Sequence, residues 1–162
     1  MTDKSLKNKQ KYSVLFACMG NICRSPTAEA VLRQQALRAG IEITIDSAGT
    51  LGYHSGATPD SRARAAGERR GYDFSGIQAR QVTVEDFASF DMILAADNSN
   101  MADLRLLCPP EHEHKLRLLL SFSPEAEQEV PDPYYGGEQG FERVLDLVES
   151  ACTGLLARLS KD

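Results

Sequence analysis

Residues 12–46 read YSVLFACMGNICRSPTAEAVLRQQALRAGIEITID, and three patterns follow one another within them. Val14 to Ala17 is an unbroken apolar run, the mark of a strand covered on both faces. Ala28, Val31, Leu32, Ala36 and Ala39 then recur at helical spacing until Gly40 stops them. Ser25 is placed to cap this helix and Pro26 to occupy its first position. Ile41 to Asp46 alternates strictly, as a half-buried strand does. Strand, helix and strand at these lengths make a βαβ unit, which requires parallel pairing and a right-handed crossover.

Downstream, the alternation continues. A second helix is predicted from Pro59 to Arg70, ended by Gly71, and a third from Thr83, where TVED fits a capping box, to Phe90. DMILAAD (residues 91–97) is another central-type strand, residues 98–107 form a short helix stopped by Pro109 and Pro110, and KLRLLL (residues 115–120) is a fourth strand. Phe141, Val144, Leu145, Val148, Cys152, Leu155 and Leu159 line one face of a closing helix. The fold class is therefore α/β, a four-stranded parallel sheet with helices on both faces. The acidic, Pro- and Gly-rich stretch SFSPEAEQEVPDPYYGGEQG (residues 121–140) exceeds a minimal connection, and loops of that length in compact domains are commonly functional.

Composition narrows the function. The chain has 162 residues, 42% hydrophobic and 25% charged, the profile of an ordinary globular domain. We read residues 1–10 as a flexible, solvated tail and residues 11–162 as one domain. The four lysines of MTDKSLKNKQK and the apolar run after them imitate a signal peptide, but Gly20 and Asn21 interrupt the run and no small-residue cleavage pattern follows. A net charge of −5 argues against a nucleic-acid partner and requires any anion site to be local. Cys18, Cys23, Cys108 and Cys152 have neither zinc-site spacing nor an export signal beside them, so no metal and a reducing cytoplasm are expected. Arg62, Arg64, Arg69 and Arg70 read as a solvated helical face with no role in a site.

The junction between the first strand and the first helix carries the chemistry. Ligands of parallel sheets bind at the strands' C-terminal ends, and CMGNICRS (residues 18–25) lies there. Gly20 and Asn21 tolerate the backbone angles that curl amides inward. Inward amides, a helix N-terminus and the Arg24 fork together suit a tetrahedral oxyanion, phosphate best of all. The same field favours a thiolate at Cys18, which makes it a nucleophile.

CMGNICRS followed by PTAEA resembles the low-molecular-weight protein tyrosine phosphatases. IDSAGT, ARQVTVEDF, FDMILAAD and DPYYGG resemble later segments of that family, so the likeness spans nearly the whole chain. The resemblance implies a three-layer fold with strand order 2-1-3-4 and hydrolysis of phosphotyrosine through a phosphocysteine, without cofactor. Cys18 matches the nucleophile, Arg24 the residue that grips two phosphate oxygens, and Asp132 the general acid. Glu127 and Glu129 share the acid's loop, but a proline stiffens the approach of Asp132 alone.

Met19, Gly20, Asn21, Ile22, Cys23 and Ser25 become the substrate-binding loop. Ser25 matches a hydroxyl bonded to the cysteine sulfur, a role compatible with helix capping, and Asn21 matches a loop brace partnered by Ser47, although a plain turn asparagine fits as well. Tyr53 and Tyr134 match aromatic walls, and Cys23 a cysteine able to form a reversible disulfide with the nucleophile. Where vertebrate relatives carry a loop-supporting histidine, this sequence has Ile77, while Asp97 of the same support is present. Tyrosine-phosphorylated proteins, and a tyrosine kinase in a regulatory pair, are the implied partners. Neither nucleic acid nor a membrane is expected to bind, and the oligomeric state stays open. Arsenate reduction on a similar scaffold needs further closely paired cysteines, which Cys108 and Cys152 do not supply. A phosphoprotein-binding module without turnover is opposed by the intact Cys18, Arg24 and Asp132.

Overall fold

A computed structural model describes residues 12–133 and 137–160, and the expected N-terminal tail lies outside them. Four parallel strands, β1 (Tyr12–Cys18), β2 (Ile43–Gly49), β3 (Met92–Ala95) and β4 (Leu116–Leu118), form one sheet in the order β2-β1-β3-β4. Among the described residues five α-helices cover it: α1 (Arg24–Ala39), α2 (Ser61–Arg69), α3 (Val84–Ser89), α4 (Asn98–Leu107) and α5 (Glu138–Ser160).

β1 shows why there are two cores. Side chains alternate across a strand, so Val14, Phe16 and Cys18 pack with α1, α2 and α5, while Leu15 and Ala17 pack with α3 and α4. The three-layer α/β arrangement follows from that alternation. β2, at the sheet edge, stays half-buried through Ile43 and Ile45 and runs three residues beyond the alternating segment to Gly49. In α5 every residue of the expected stripe through Leu155 is buried, and Leu147, Ala151 and Leu156 widen it. Among the described residues no helix is long and apolar enough to cross a membrane.

Two local expectations are corrected. KLRLLL does not continue as a strand, because β4 ends at Leu118 and Leu119–Phe122 turns into a 3₁₀ helix. Leu119 and Leu120 are still buried, so their apolar character serves packing rather than pairing. Nor is Ser25 the cap of α1. The helix begins at Arg24 with Cys23 in the cap position, and the Cys23 side chain makes no cap bond.

The 3₁₀ turn explains a glycine within α5. A Cβ on Gly154 would stand 1.9 Å from the Phe122 carbonyl oxygen, so the helix approaches that turn backbone to backbone. Gly154→Ala is expected to lower stability by about 1–3 kcal/mol, the usual cost of overpacking. Gly137, with nothing within 4 Å of its ideal Cβ, is the control, and Gly137→Ala should stay within about 0.5 kcal/mol. Urea unfolding followed by far-ultraviolet circular dichroism reads both.

Candidate active site

β1 ends in Cys18, and the chain then wraps five residues around the N-terminus of α1. Asn21 takes φ 58, the only positive φ of a non-glycine among the described residues, and asparagine tolerates that left-handed region better than most residues. Gly20 leaves room for a neighbour: a Cβ there would meet His54 Cδ2 at 2.9 Å, so a larger residue would displace that ring. Backbone bonds stitch the loop to its surroundings. Thr50 N donates to Cys18 O (2.9 Å), Leu51 N to Met19 O (3.0 Å) and Asp60 N to Ile22 O (2.8 Å).

The helix start, without a side-chain bond from its cap residue, adjoins the cleft through Cys23 and Arg24. No acidic residue stands in the first turn of α1, so the positive end of the helix is open to an anion. Cys18 Sγ accepts from the Ser25 amide at 3.4 Å and lies 3.0 Å from Ser25 Oγ. Arg24 is 4% exposed. Its Nη1 donates to Asp97 Oδ2 (2.7 Å) and Val130 O (3.0 Å), and its Nη2 lies 3.8 Å from Asp132 Oδ2. Burial alone would make the guanidinium easier to deprotonate, but the negative field of Cys18, Asp97 and Asp132 outweighs it and raises its proton affinity. The cation is thus fixed, with one edge turned toward the acid loop.

A cleft of about 170 Å³ opens above this floor, lined by Cys18, Met19, Gly20, Ile22, Cys23, Arg24, Tyr53, His54 and Asp132. Tyr53 is 86% exposed and stands at the mouth with its ring tilted 50° to that of His54. Eight of the sequence-predicted site residues therefore meet in one cleft. Three do not line it: Asn21, Ser25 and Ser47 are 1%, 2% and 1% exposed. Their side chains sit behind the loop and brace it, because their hydrogen-bonding capacity is used on one another. Asn21 Nδ2 donates to Ser25 Oγ (2.8 Å) and to Ser47 Oγ (3.0 Å). Tyr134 lies outside the described residues.

Residues that the sequence reading passed over complete the support. His54 forms part of the wall. Glu29 accepts from Ser47 Oγ at 2.6 Å. Arg80 N donates to Asn21 Oδ1 (2.9 Å), and its guanidinium spans Asp46 and Asp86. Asp86 also accepts from the Thr83 amide at 2.8 Å, the capping box expected from TVED. Burial would raise the Asp86 carboxyl, but the bonds from Arg80 and Thr83 hold it below the usual range. Ile77 is buried beside Ala30, Phe74 and Tyr72 and supplies no polar group to the loop.

A thiol under inward amides, a fixed guanidinium and a carboxyl at the rim define a cysteine-dependent phosphatase on a parallel α/β sheet. The family model for low molecular weight phosphotyrosine protein phosphatase matches residues 13–162. The chain is 46% identical over 153 residues to a putative low molecular weight protein-tyrosine-phosphatase of Synechocystis, covering 92% of this chain and 97% of that one. It is 42% identical to the human low molecular weight phosphotyrosine protein phosphatase, covering 90% and 94%. The crystal structure of a protein tyrosine phosphatase from Entamoeba histolytica with Hepes in its active site superposes with a TM-score of 0.89 at 44% identity, covering 93% and 97%. The chain belongs to the low molecular weight phosphotyrosine protein phosphatases, which hydrolyse phosphotyrosine by cysteine chemistry.

Two measurements test this support. Burial, then the negative field of Asp60, Cys18 and Asp132, pushes the Cys23 thiol up to about 12. Iodoacetamide at pH 7.5 is therefore expected to label Cys18 and spare Cys23, with orthovanadate protecting Cys18; peptide mapping that finds both labelled at equal rates would contradict the assignment. Asp86, depressed in the folded state, contributes stability that is present above the ordinary aspartate range and lost as pH falls through its folded value. Asp86→Asn should cost about 1.5–3 kcal/mol at pH 7, with the gap to wild type closing below about pH 4 in urea titrations.

Proposed function

We propose that Cys18 attacks the phosphorus of an aryl phosphate in line while Asp132 gives its proton to the departing phenolate oxygen. The sulfur–phosphorus bond forms as the phosphorus–oxygen bond breaks. Water then attacks the phosphocysteine, Asp132 takes its proton, and the sulfur leaves as a thiolate bonded by the Ser25 hydroxyl. Arg24, with the loop amides, holds the equatorial oxygens through both steps, a task for a planar fork rather than a point charge. The observation that carries this reading is the convergence of Cys18, Arg24 and Asp132 on one cleft. The Hepes in the Entamoeba relative, whose sulfonate is itself a tetrahedral oxyanion, supports the anion assignment.

Met19, Ile22 and Tyr53 supply apolar walls to the same cleft, which suit a phenyl ring. The shorter phosphoserine arm cannot reach the floor while touching those walls. We take the substrates to be tyrosine-phosphorylated proteins, including a tyrosine kinase opposed to this enzyme, and the working compartment to be the cytoplasm, consistent with four free thiols.

Cys18→Ser should abolish hydrolysis of p-nitrophenyl phosphate while vanadate still binds. Substantial residual turnover would remove Cys18 from its role. Asp132→Asn should lower kcat/KM by about 10²–10⁴-fold for phenyl phosphate, and by clearly less for aryl phosphates whose leaving groups need no proton. An equal loss of kcat/KM across a series of leaving groups would show that Asp132 is not the acid.

A further inference from the structure

Glu29 lies in the second turn of α1, is 3% exposed and takes no part in the chemistry above. Its Oε1 accepts from Ser47 Oγ at 2.6 Å, and its Oε2 is gripped by Arg33, one turn further along the helix. A carboxylate can only accept, so the single hydroxyl hydrogen of Ser47 is committed to Glu29. Ser47 Oγ must then accept from Asn21, as it does at 3.0 Å. The other hydrogen of the Asn21 amide goes to Ser25 Oγ at 2.8 Å. Ser25, already accepting, directs its one hydrogen at Cys18 Sγ, 3.0 Å away.

The opposite polarity has a definite consequence. If Ser47 donated to Asn21, the amide would present its oxygen to both serines. Ser25 would then give its hydrogen to Asn21, leaving the sulfur without it, and Arg80 N would lose the acceptor it has at 2.9 Å. Two ends therefore fix the direction of the relay, the Arg80 amide on one side and the Glu29 carboxylate on the other.

We propose that Glu29, paired with Arg33, is a positioning residue for the phosphatase reaction: its carboxylate sets the donor direction of the Ser47–Asn21–Ser25 chain so that the Ser25 hydroxyl donates to Cys18. The proposal rests on Cys18 being the nucleophile. The charged groups around Glu29 are Arg33 on its own helix and Asp46 on β2, the latter bonded in turn by Arg80. Ile77 is buried in an apolar cluster and adds no charge. Burial pushes the Glu29 carboxyl up and Asp46 adds to that, while Ser47 and Arg33 pull it down without cancelling the rise. Protonation would turn Glu29 into a donor and release the constraint on Ser47. Arg33 opposes this step and so holds the relay in its working direction as pH falls.

The test compares wild type, Glu29→Gln, Glu29→Asp and Arg33→Met by two readouts. One is the pH dependence of Cys18 inactivation by iodoacetate, which needs no turnover. The other is kcat/KM for p-nitrophenyl phosphate across pH. Glu29→Gln keeps size but brings an amide donor toward Ser47. It is expected to move the midpoint of Cys18 inactivation upward by about one pH unit and to lower kcat/KM about tenfold, with Glu29→Asp recovering part of both. Arg33→Met, a change at a half-exposed side chain, should shift the acid limb of the kcat/KM profile to higher pH. A Glu29→Gln enzyme with a lower melting temperature but an unaltered inactivation profile would make Glu29 a structural acid only and overturn the proposal, as would an acid limb unmoved in Arg33→Met. If wild type itself fails to turn over phosphate esters, the phosphatase assignment fails separately, and the inactivation profiles still decide the relay.

Discussion

A helix that starts without a side-chain cap must satisfy its first amides in some other way, and α1 starts so at the end of a strand buried on both faces. One of those amides is spent on the sulfur of Cys18. Most nearby structure can be understood as keeping the others available. Asn21 accepts a left-handed backbone so that the loop turns inward. The 49–51 segment is bonded along its outer side, and a second layer of side chains fills the space behind. An acidic cap would stabilise the helix in isolation, but its charge would occupy the place of the anion. In the proposed mechanism the substrate phosphate takes the place of that cap.

Charge within the cleft follows from the same requirement. The chain is acidic overall, with a formal charge of −5, yet its anion site needs only one fully buried guanidinium, because backbone dipoles supply the remainder. Arg24 is held by Asp97, which simultaneously caps α4 through the Asn100 amide. One carboxylate thus fixes both the start of a helix and the orientation of the buried guanidinium in the cleft. The four arginines of the 62–70 region are bonded instead to Asp60, Glu68, Glu142, Asp146 and Glu149. The pairs of Arg62 and Arg64 stay within α2 and its cap, while those of Arg69 and Arg70 tie the end of α2 to α5, more than the solvated face the sequence suggested.

Much of this was legible in the residues. Val14–Ala17 and Ile41–Asp46 differ in pattern because one strand has neighbours on both faces and the other has one, and the sheet has that form. Cys18 and Arg24 stood out through the strand-to-helix loop they bracket and Asp132 through the family resemblance, and the structure brings all three to one cleft. The misreadings have local causes. A small polar residue before proline has the signature of a helix cap, but the pull of the sulfur on Ser25 lies in tertiary structure. KLRLLL carries burial without saying whether the backbone pairs or turns. Glu29 stands between Ala28 and Ala30 where a helical stripe assigns a solvent-facing charge, and only folding shows that β2 covers it. His54 adjoins Tyr53 in an unpatterned loop, so nothing marked it as a wall.

The acid loop reaches the cleft by a short route. Val130 N bonds Ala96 O, Ala96 N bonds Ala17 O, and Glu129 takes the Asn98 amide. Asp132 is therefore suspended from the end of β3, while Cys18 terminates β1, its hydrogen-bonded neighbour. In the proposed mechanism donor and nucleophile therefore hang from adjacent strands, whose spacing, about 4.8 Å in any sheet, side-chain substitution scarcely alters. Exchange of residues at the rim of the cleft would leave that spacing in place.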